Sequence, residues 1–125
     1  MLNQTGITTK EGMTRKTILV DEKNSTAFSC NVSNAGIDAD ANGKKIVKAG
    51  TPVVGDLTAR DAAFTVATGD DATGVILHDV DVTTGTANSQ VVVFGFVDIS
   101  KLEADVVTKL TANIKKSLNM IKFVK

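Results

Sequence analysis

The only histidine of the chain, His78, lies beside two carboxylates in the stretch ATGVILHDVDV. A histidine next to Asp79 and Asp81 offers the residue types of an acid–base or metal site. The stretch also alternates like a β-strand, in which neighbouring side chains point to opposite faces. On a strand, His78 shares its face with Ile76 and Val80, whereas both aspartates point away. The three groups are therefore not expected to converge, and His78 is expected to be structural or interfacial.

A second acidic stretch, DADANG from Asp38 to Gly43, has the spacing that opens a calcium-binding EF-hand loop. The closing acidic ligand is missing, because Ala49 occupies its position, and no helical pattern flanks the segment. Turn chemistry is therefore expected here. The GDD stretch at residues 69–71 is likewise expected to form the acidic tip of a hairpin.

Other reactive groups are sparse. Cys30 is the single cysteine, so it has no partner for an internal disulfide, and a nucleophilic role would need a histidine close to it in the fold. A small, half-buried thiol is the expected state. No glycine-rich phosphate loop follows a predicted strand. The sequence therefore predicts no catalytic residue, no metal site and no cofactor.

The composition limits the class of protein further. Fourteen basic and 14 acidic residues give a formal net charge of zero, so no global field attracts nucleic acid or anionic lipid. No apolar run approaches the roughly 20 residues needed to span a membrane. Residues 1–16 lack the apolar stretch of a secretion signal. Residence in a reducing cytoplasm is expected, with neither nucleic acid nor membrane as a partner.

The N-terminal part is expected to be an arm. Residues 1–16 are polar and show no helical or strand period, which is typical of a flexible segment. The short apolar run at Ile18, Leu19 and Val20 predicts a brief edge strand. We assign the arm and this edge strand to residues 1–30, and one β-rich domain to residues 31–125.

The rest of the chain favours short strands separated by turns, because valine, threonine, alanine and glycine abound while tryptophan and tyrosine are absent. The strands are predicted at 46–47, 53–54, 64–66 and 74–82. The stretch QVVVFGFVDI is the most hydrophobic and is interpreted as the core strand. Alternation places its apolar side chains on two faces, both of which are expected to be buried. One face carries Val91, Val93 and Val97, and the other carries Val92, Phe94 and Phe96. Gly95 within it predicts a bulge, a bend or a close backbone approach.

One helix is predicted at about residues 101–118. Ser100 and Glu103 have the capping-box pattern at its start. Apolar residues recur every four positions, which gives one face for packing on the sheet: Leu102, Val106, Leu110, Ile114 and Leu118. The alternating stretch MIKFVK predicts a final short strand. The predicted fold is mainly β (α+β), a small barrel or sandwich with one C-terminal helix and a flexible N-terminal arm.

The chain resembles the head decoration proteins of tailed bacteriophages, the lambda-type capsid-stabilising family. The resemblance rests on the order of its features, which are VKAGTPVV, TGVILHDVDV, VVVFGFVDISKL, a helix and a terminal strand. The resemblance covers residues 44–124. It implies a structural protein, not an enzyme, that binds the outside of an expanded capsid, commonly as a homotrimer, and clamps neighbouring subunits of the major capsid protein. It also implies a place on the virion surface after synthesis in the bacterial cytoplasm.

In that family the arm becomes ordered on the shell. The resemblance therefore implies that Thr17, Ile18, Leu19 and Val20 add a strand to the capsid protein by β-augmentation. Ordering an arm costs conformational entropy, so one arm alone binds weakly, whereas three arms of a trimer raise one another's effective concentration.

Two other classes stay open. A head fibre or head completion protein is the nearest alternative within the virion, and the copy number per particle separates it from a decoration protein. A small ligand-binding β-module would need Phe94, Phe96 and Phe123 to be exposed. An enzyme would need polar residues that converge, and the predicted strands bring none together.

Overall fold

The computed structural model describes residues 17–59, 61–69 and 71–125. Its strands, numbered along this part of the chain, are β1 (Thr26–Val32), β2 (Ile46–Val47), β3 (Pro52–Val54), β4 (Ala63–Val66), β5 (Gly74–Ile76), β6 (Val80–Asp81), β7 (Ala87–Asp98) and β8 (Ile121–Val124). Two short helices, α1 (Ala104–Lys109) and α2 (Ala112–Ser117), lie between β7 and β8 in the chain. The prediction of a mainly β fold is confirmed. The arm predicted for residues 1–16 lies outside the described residues.

Six strands form one sheet in the order β1-β4-β3-β5-β7-β8, and β1 also pairs with β7. This additional pairing closes a circuit of hydrogen-bonded neighbours through β1, β4, β3, β5 and β7. The β1–β4 and β7–β8 pairs are parallel, whereas the other pairs of this sheet are antiparallel. The short strands β2 and β6 form a separate two-stranded sheet. The choice between a barrel and a sandwich stays a prediction.

Strand β1 extends the folded domain further towards the N-terminus than we predicted. It pairs with β7 along its whole length, so residues 26–30 belong to the sheet and not to an arm. The signal for this strand is present in the sequence, because Phe28, Cys30 and Val32 are apolar at every second position. Cys30 is buried within the domain instead of half-buried.

The buried side chains form two clusters on opposite sides of β7. The first cluster joins the helices to the sheet and includes Val92, Val106 and Ile114. The second lies among the strands and includes Phe64 and Val91. Since Val91 and Val92 are consecutive residues of one strand, they reach different clusters, as the alternation of a strand requires.

The alternation that we predicted for β7 is wrong beyond Val93. Ala27 pairs with Val92 and Thr26 pairs with Phe94, so the register skips Val93 and β7 carries a bulge there. A bulge inserts one residue and thereby exchanges the faces of the residues that follow. Val97 consequently packs in the same cluster as Val92.

Two side chains assigned to the core are exposed as a result. Phe94 is 43% exposed and Phe96 is 45% exposed, whereas Val92 is fully buried as predicted. Gly95 between the two phenylalanines has φ +141° and lies against Ser25, which confirms the irregularity expected at this glycine.

The predicted helix at 101–118 is wrong as a single element, because the chain leaves helical geometry at Leu110 and begins α2 after Thr111. The Thr111 hydroxyl accepts a hydrogen bond from the Ile114 N–H at 3.3 Å, so this threonine acts as an N-cap in the middle of the predicted helix. The apolar face survives this break. Its five predicted residues are all buried: Leu102, Val106, Leu110, Ile114 and Leu118.

The predicted capping box between Ser100 and Glu103 is also wrong. The Ser100 hydroxyl donates to Asp98 Oδ1 at 2.6 Å, and the Ser100 N–H donates to the same oxygen at 3.0 Å. Asp98 thereby caps a 3₁₀ turn at Ile99–Lys101, which ends β7 and leads into α1. The Ser100 hydroxyl lowers the pKa of the Asp98 carboxyl, and the backbone N–H of Ser100 lowers it further.

The close packing of β5 on β7 predicts that Gly74→Ala destabilises the fold. A Cβ at residue 74 would lie 2.3 Å from the Val92 carbonyl oxygen and 2.6 Å from Val91 Cγ2, and a backbone oxygen in a paired strand has no room to move. We expect a loss of about 2–3 kcal/mol in the free energy of unfolding, measured by urea denaturation. Gly69→Ala is the control, because the nearest atom to its Cβ would be 3.5 Å away. Equal losses in the two variants would contradict the prediction.

The Asp98 cap predicts a dependence of stability on pH. The pKa of the Asp98 carboxyl is lower in the folded state than its value of about 4 in the unfolded state. The carboxylate therefore stabilises the fold fully above about pH 4, and this stabilisation is lost as the pH falls through the folded-state pKa. We expect Ser100→Ala, which removes the hydroxyl donor, to reduce the loss of stability between about pH 5 and pH 2 relative to the wild type. Urea denaturation across this range measures the effect, and an unchanged pH profile would exclude the hydrogen bond from the Ser100 hydroxyl to Asp98 as a contributor.

Candidate interaction surface

The stretch around His78 is not one strand. The predicted strand at 74–82 is broken into β5 and β6, and the chain bends at Leu77 and His78. Strand alternation therefore does not separate these side chains, and His78 and Asp79 both line a cavity of about 320 Å³ together with Lys48. Ile76 and Val80 are buried, and His78 is half-buried.

The carboxylates next to His78 take part in backbone hydrogen bonds. Asp79 Oδ1 accepts from the Ala49 N–H at 2.7 Å. Asp81 Oδ1 accepts from the Thr83 N–H at 2.9 Å and from the Thr83 hydroxyl, and the hydroxyl is the larger reason why the pKa of Asp81 is lowered. Asp81 thus stabilises its own turn, whereas Asp79 connects its segment to Ala49, which lies 30 residues earlier in the chain.

The DADANG stretch forms the turn that we predicted. Asp40 Oδ1 accepts from the Asn42 N–H at 2.8 Å and from the Lys44 N–H at 3.0 Å. Gly43 has φ +76°, and its N–H donates to the Asp40 carbonyl at 2.9 Å. Over the ranges that the structure describes, no group of three or more histidine, cysteine, aspartate or glutamate side chains is placed to hold a metal ion.

Lys48 connects the strand region to α1. Its Nζ lies 3.1 Å from Glu103 Oε1 and 3.2 Å from Asp105 Oδ2. The hydrogen bond to Glu103, and then that to Asp105, raises the pKa of Lys48, while Lys48 in turn lowers the pKa of Asp105. These charged groups line the clefts beside α1, where they form ion pairs with one another.

A different part of the molecule exposes a group of large apolar side chains. They lie on the second half of β7 and on the chain segments that pair with it, and we call them the apolar face: Val20, Phe94, Phe96, Met120 and Val124. Met120 is 59% exposed and Val20 is 56% exposed, so these side chains are not edges of the core. Exposed apolar groups that are contiguous in a folded domain mark interaction sites.

The backbone pairing brings these side chains together. Phe96 pairs with Lys122 on β8, and Asp98 pairs with Val124. On the other side of β7, the Val20 N–H donates to the Phe96 carbonyl at 3.0 Å. Val20, Phe96 and Lys122 therefore form one row across three adjacent segments.

Segment 17–20, which we predicted to be available to a capsid strand, packs on its own domain. Ile18 is 1% exposed and Leu19 is 5% exposed, and both belong to the cluster beneath the helices. Leu19 forms a bridge to Val97, and the Ile18 carbonyl accepts from the Asp98 N–H at 2.8 Å. Only Thr17 and Val20 of the four predicted binding residues present a side chain to solvent.

The segment nevertheless keeps one edge that is open in the sense that no described strand pairs with it, although Leu19 itself is only 5% exposed. Since the Ile18 carbonyl and the Val20 N–H face β7, the backbone groups of Leu19 point the other way. The Leu19 N–H is satisfied by Thr17 Oγ1 at 3.2 Å. No strand lies along this edge in the part of the chain that the structure covers.

Neither a family model nor a curated protein matches the chain. In the described part of the chain, the helices are too short to cross a membrane.

The packing of segment 17–20 predicts that substitutions of two neighbouring residues change the free energy of unfolding by unequal amounts. Leu19→Ala removes a buried side chain and leaves a cavity, so we expect it to lower the free energy of unfolding by about 2–4 kcal/mol. Val20→Ala, at an exposed position, should change it by less than about 0.5 kcal/mol. Urea denaturation of the two variants measures the difference. A small loss in Leu19→Ala would mean that the segment is detached from the free protein in solution.

Proposed function

We propose that this protein is a structural virion protein that binds the outside of an expanded phage capsid and stabilises it by clamping neighbouring subunits of the major capsid protein. It acts as a homotrimer on the virion surface after synthesis in the bacterial cytoplasm, and it is not an enzyme. The apolar face carries this proposal, because exposed, contiguous apolar side chains on a well-packed domain are typical of a protein-binding surface, and the face includes Val20. Its position beside segment 17–20 supports a common contact with one partner.

The open edge of segment 17–20 supports the predicted β-augmentation in a modified form. A capsid strand that displaces the Thr17 hydroxyl from the Leu19 N–H and pairs with the backbone of Leu19 leaves the side chains of Ile18 and Leu19 in the domain core. Main-chain hydrogen bonds then give affinity, and Val20 and the adjoining Phe96 supply apolar contact. The arm predicted at residues 1–16 directly precedes this edge in the chain.

One observation favours the second candidate, a small ligand-binding β-module. Phe94 and Phe96 are exposed, as that function requires. The third aromatic residue, Phe123, is half-buried, and Lys115 Nζ lies 5.8 Å from the centroid of its ring. A flat pair of exposed rings suits a protein surface better than the concave pocket that encloses a small ligand.

The first experiment is co-sedimentation of the purified full chain with expanded, undecorated capsids of its own phage, together with its solution mass by light scattering. Saturable binding in many copies per shell and a trimeric mass would support the proposal. A few copies per particle would support a head fibre or head completion protein instead. Absence of binding by a monomeric chain would overturn the decoration function.

The apolar face predicts which side chains the shell contacts. We expect Phe96→Ser to weaken capsid binding at least about tenfold, equivalent to about 1.4 kcal/mol, because aromatic side chains at an interface centre dominate affinity. Leu57→Ser is the matched control, since Leu57 is 37% exposed in the loop between β3 and β4 and lies outside the apolar face. Equal binding by the two variants in the co-sedimentation assay would remove the apolar face from the contact.

A further inference from the structure

The hydrogen bonds between β7 and β8 leave one edge of β8 open. The Gly95 N–H donates to the Met120 carbonyl at 3.2 Å. In a parallel ladder every second residue faces the partner strand, so Lys122 and Val124 also direct their backbone groups towards β7. The backbone N–H and carbonyl of Phe123 therefore point to the opposite edge. Within residues 17–59, 61–69 and 71–125, no strand pairs with that edge.

The surroundings of this edge are positively charged, although the whole chain is neutral. Residues 110–125 contain four of the 14 basic residues and none of the 14 acidic ones. These four lysines are all exposed: Lys115, Lys116, Lys122 and Lys125. An acidic partner is therefore attracted to α2 and β8, while the remainder of the chain carries the compensating negative charge.

We propose that the open edge of β8 is a second docking site, which binds an extended segment of a partner protein that has alternating apolar and acidic side chains. The segment adds as a strand beside β8 and pairs with the backbone of Phe123. This inference concerns an edge that the proposed capsid contact at segment 17–20 does not use.

The side chains on the two faces of the added strand lie against different parts of the protein. We therefore expect apolar and acidic side chains to alternate along the added strand. Side chains on one side lie beside Val124 and Met120 of the apolar face, so apolar groups fit there. Side chains on the other side lie towards α2, where Lys115 reaches the ring of Phe123. Carboxylates fit on that side, because they form ion pairs with the exposed lysines of α2.

A second copy of this chain is a poorer occupant of the same edge. Two β8 strands that pair with each other bring Lys122 and Lys125 of one copy close to the same lysines of the other. Like charges on opposed strands are destabilising, and lysines on an edge strand are a known means of preventing self-association. The charge of the edge thus selects a different, acidic chain.

A pair of synthetic peptides tests this inference without any capsid. One alternates valine and glutamate over about six residues, the usual length of a strand, and the other alternates valine and lysine. We expect the full chain to bind the glutamate peptide at least about tenfold more tightly in fluorescence anisotropy. Binding should also slow hydrogen exchange at the Phe123 amide, because that N–H becomes bonded to the added strand.

Charge reversal on α2 provides the specificity control. Lys115→Glu should weaken binding of the glutamate peptide, whereas Lys44→Glu, an equal charge change at an exposed residue before β2, should leave it unchanged. Equal affinity of the unaltered chain for both peptides, or protection at amides other than those of β8, would overturn the inference. So would binding of vesicles with anionic lipid in place of the glutamate peptide.

The peptide and capsid experiments fail independently. Peptide binding without capsid binding would keep the docking site and remove the decoration function. Capsid binding without peptide binding would keep the decoration function and remove the docking site on β8.

Discussion

The pairing of β7 on both of its edges is the constraint on which the rest of the structure depends. This strand of 12 residues contacts β1 and β5 in its first part, and segment 17–20 and β8 in its second part. The change of partners requires the bulge at Val93 and the positive φ of Gly95. The bulge exchanges the faces of the strand, so Val97 enters the core while Phe94 and Phe96 leave it. The bulge therefore accounts both for the burial of Val97 in the core and for the exposure of Phe94 and Phe96 on the apolar face.

The acidic residues illustrate why residue types alone are poor evidence of chemistry in this chain. Asp40, Asp56, Asp81 and Asp98 each accept a hydrogen bond from a backbone N–H two residues later. Such turns satisfy backbone donors where a strand ends and the chain changes direction. Carboxylates used in this way are fixed by local geometry, and their lowered pKa values at residues 56, 81 and 98 reflect these turns and not a reactive site.

The sequence predicted those features that depend on local period, and it failed where tertiary pairing overrides the period. Alternation in MIKFVK correctly gave β8, with Ile121 buried and Lys122 exposed. The four-residue period gave the buried side of the helices, although the Thr111 cap divides them. The exposure of Phe94 and Phe96 was not predictable, because a bulge is defined by the register of two strands that are distant in sequence. The burial of Ile18 was likewise not predictable, because it depends on the pairing of segment 17–20 with β7, which is distant from it in sequence.

A chain with a net charge of zero still has a positively charged region on its surface. Net charge describes only the sum, whereas the fold decides which charges become neighbours. Here five described acidic residues cap turns, Asp21, Asp40, Asp56, Asp81 and Asp98, and the lysines of residues 110–125 lie on α2, on β8 or directly after β8. Because β8 is the last strand of its sheet, its open edge lies in this basic region and next to the apolar face. Backbone donors, apolar contact and positive charge are thereby combined in one place, and each of the three is needed to select an extended acidic segment over other occupants.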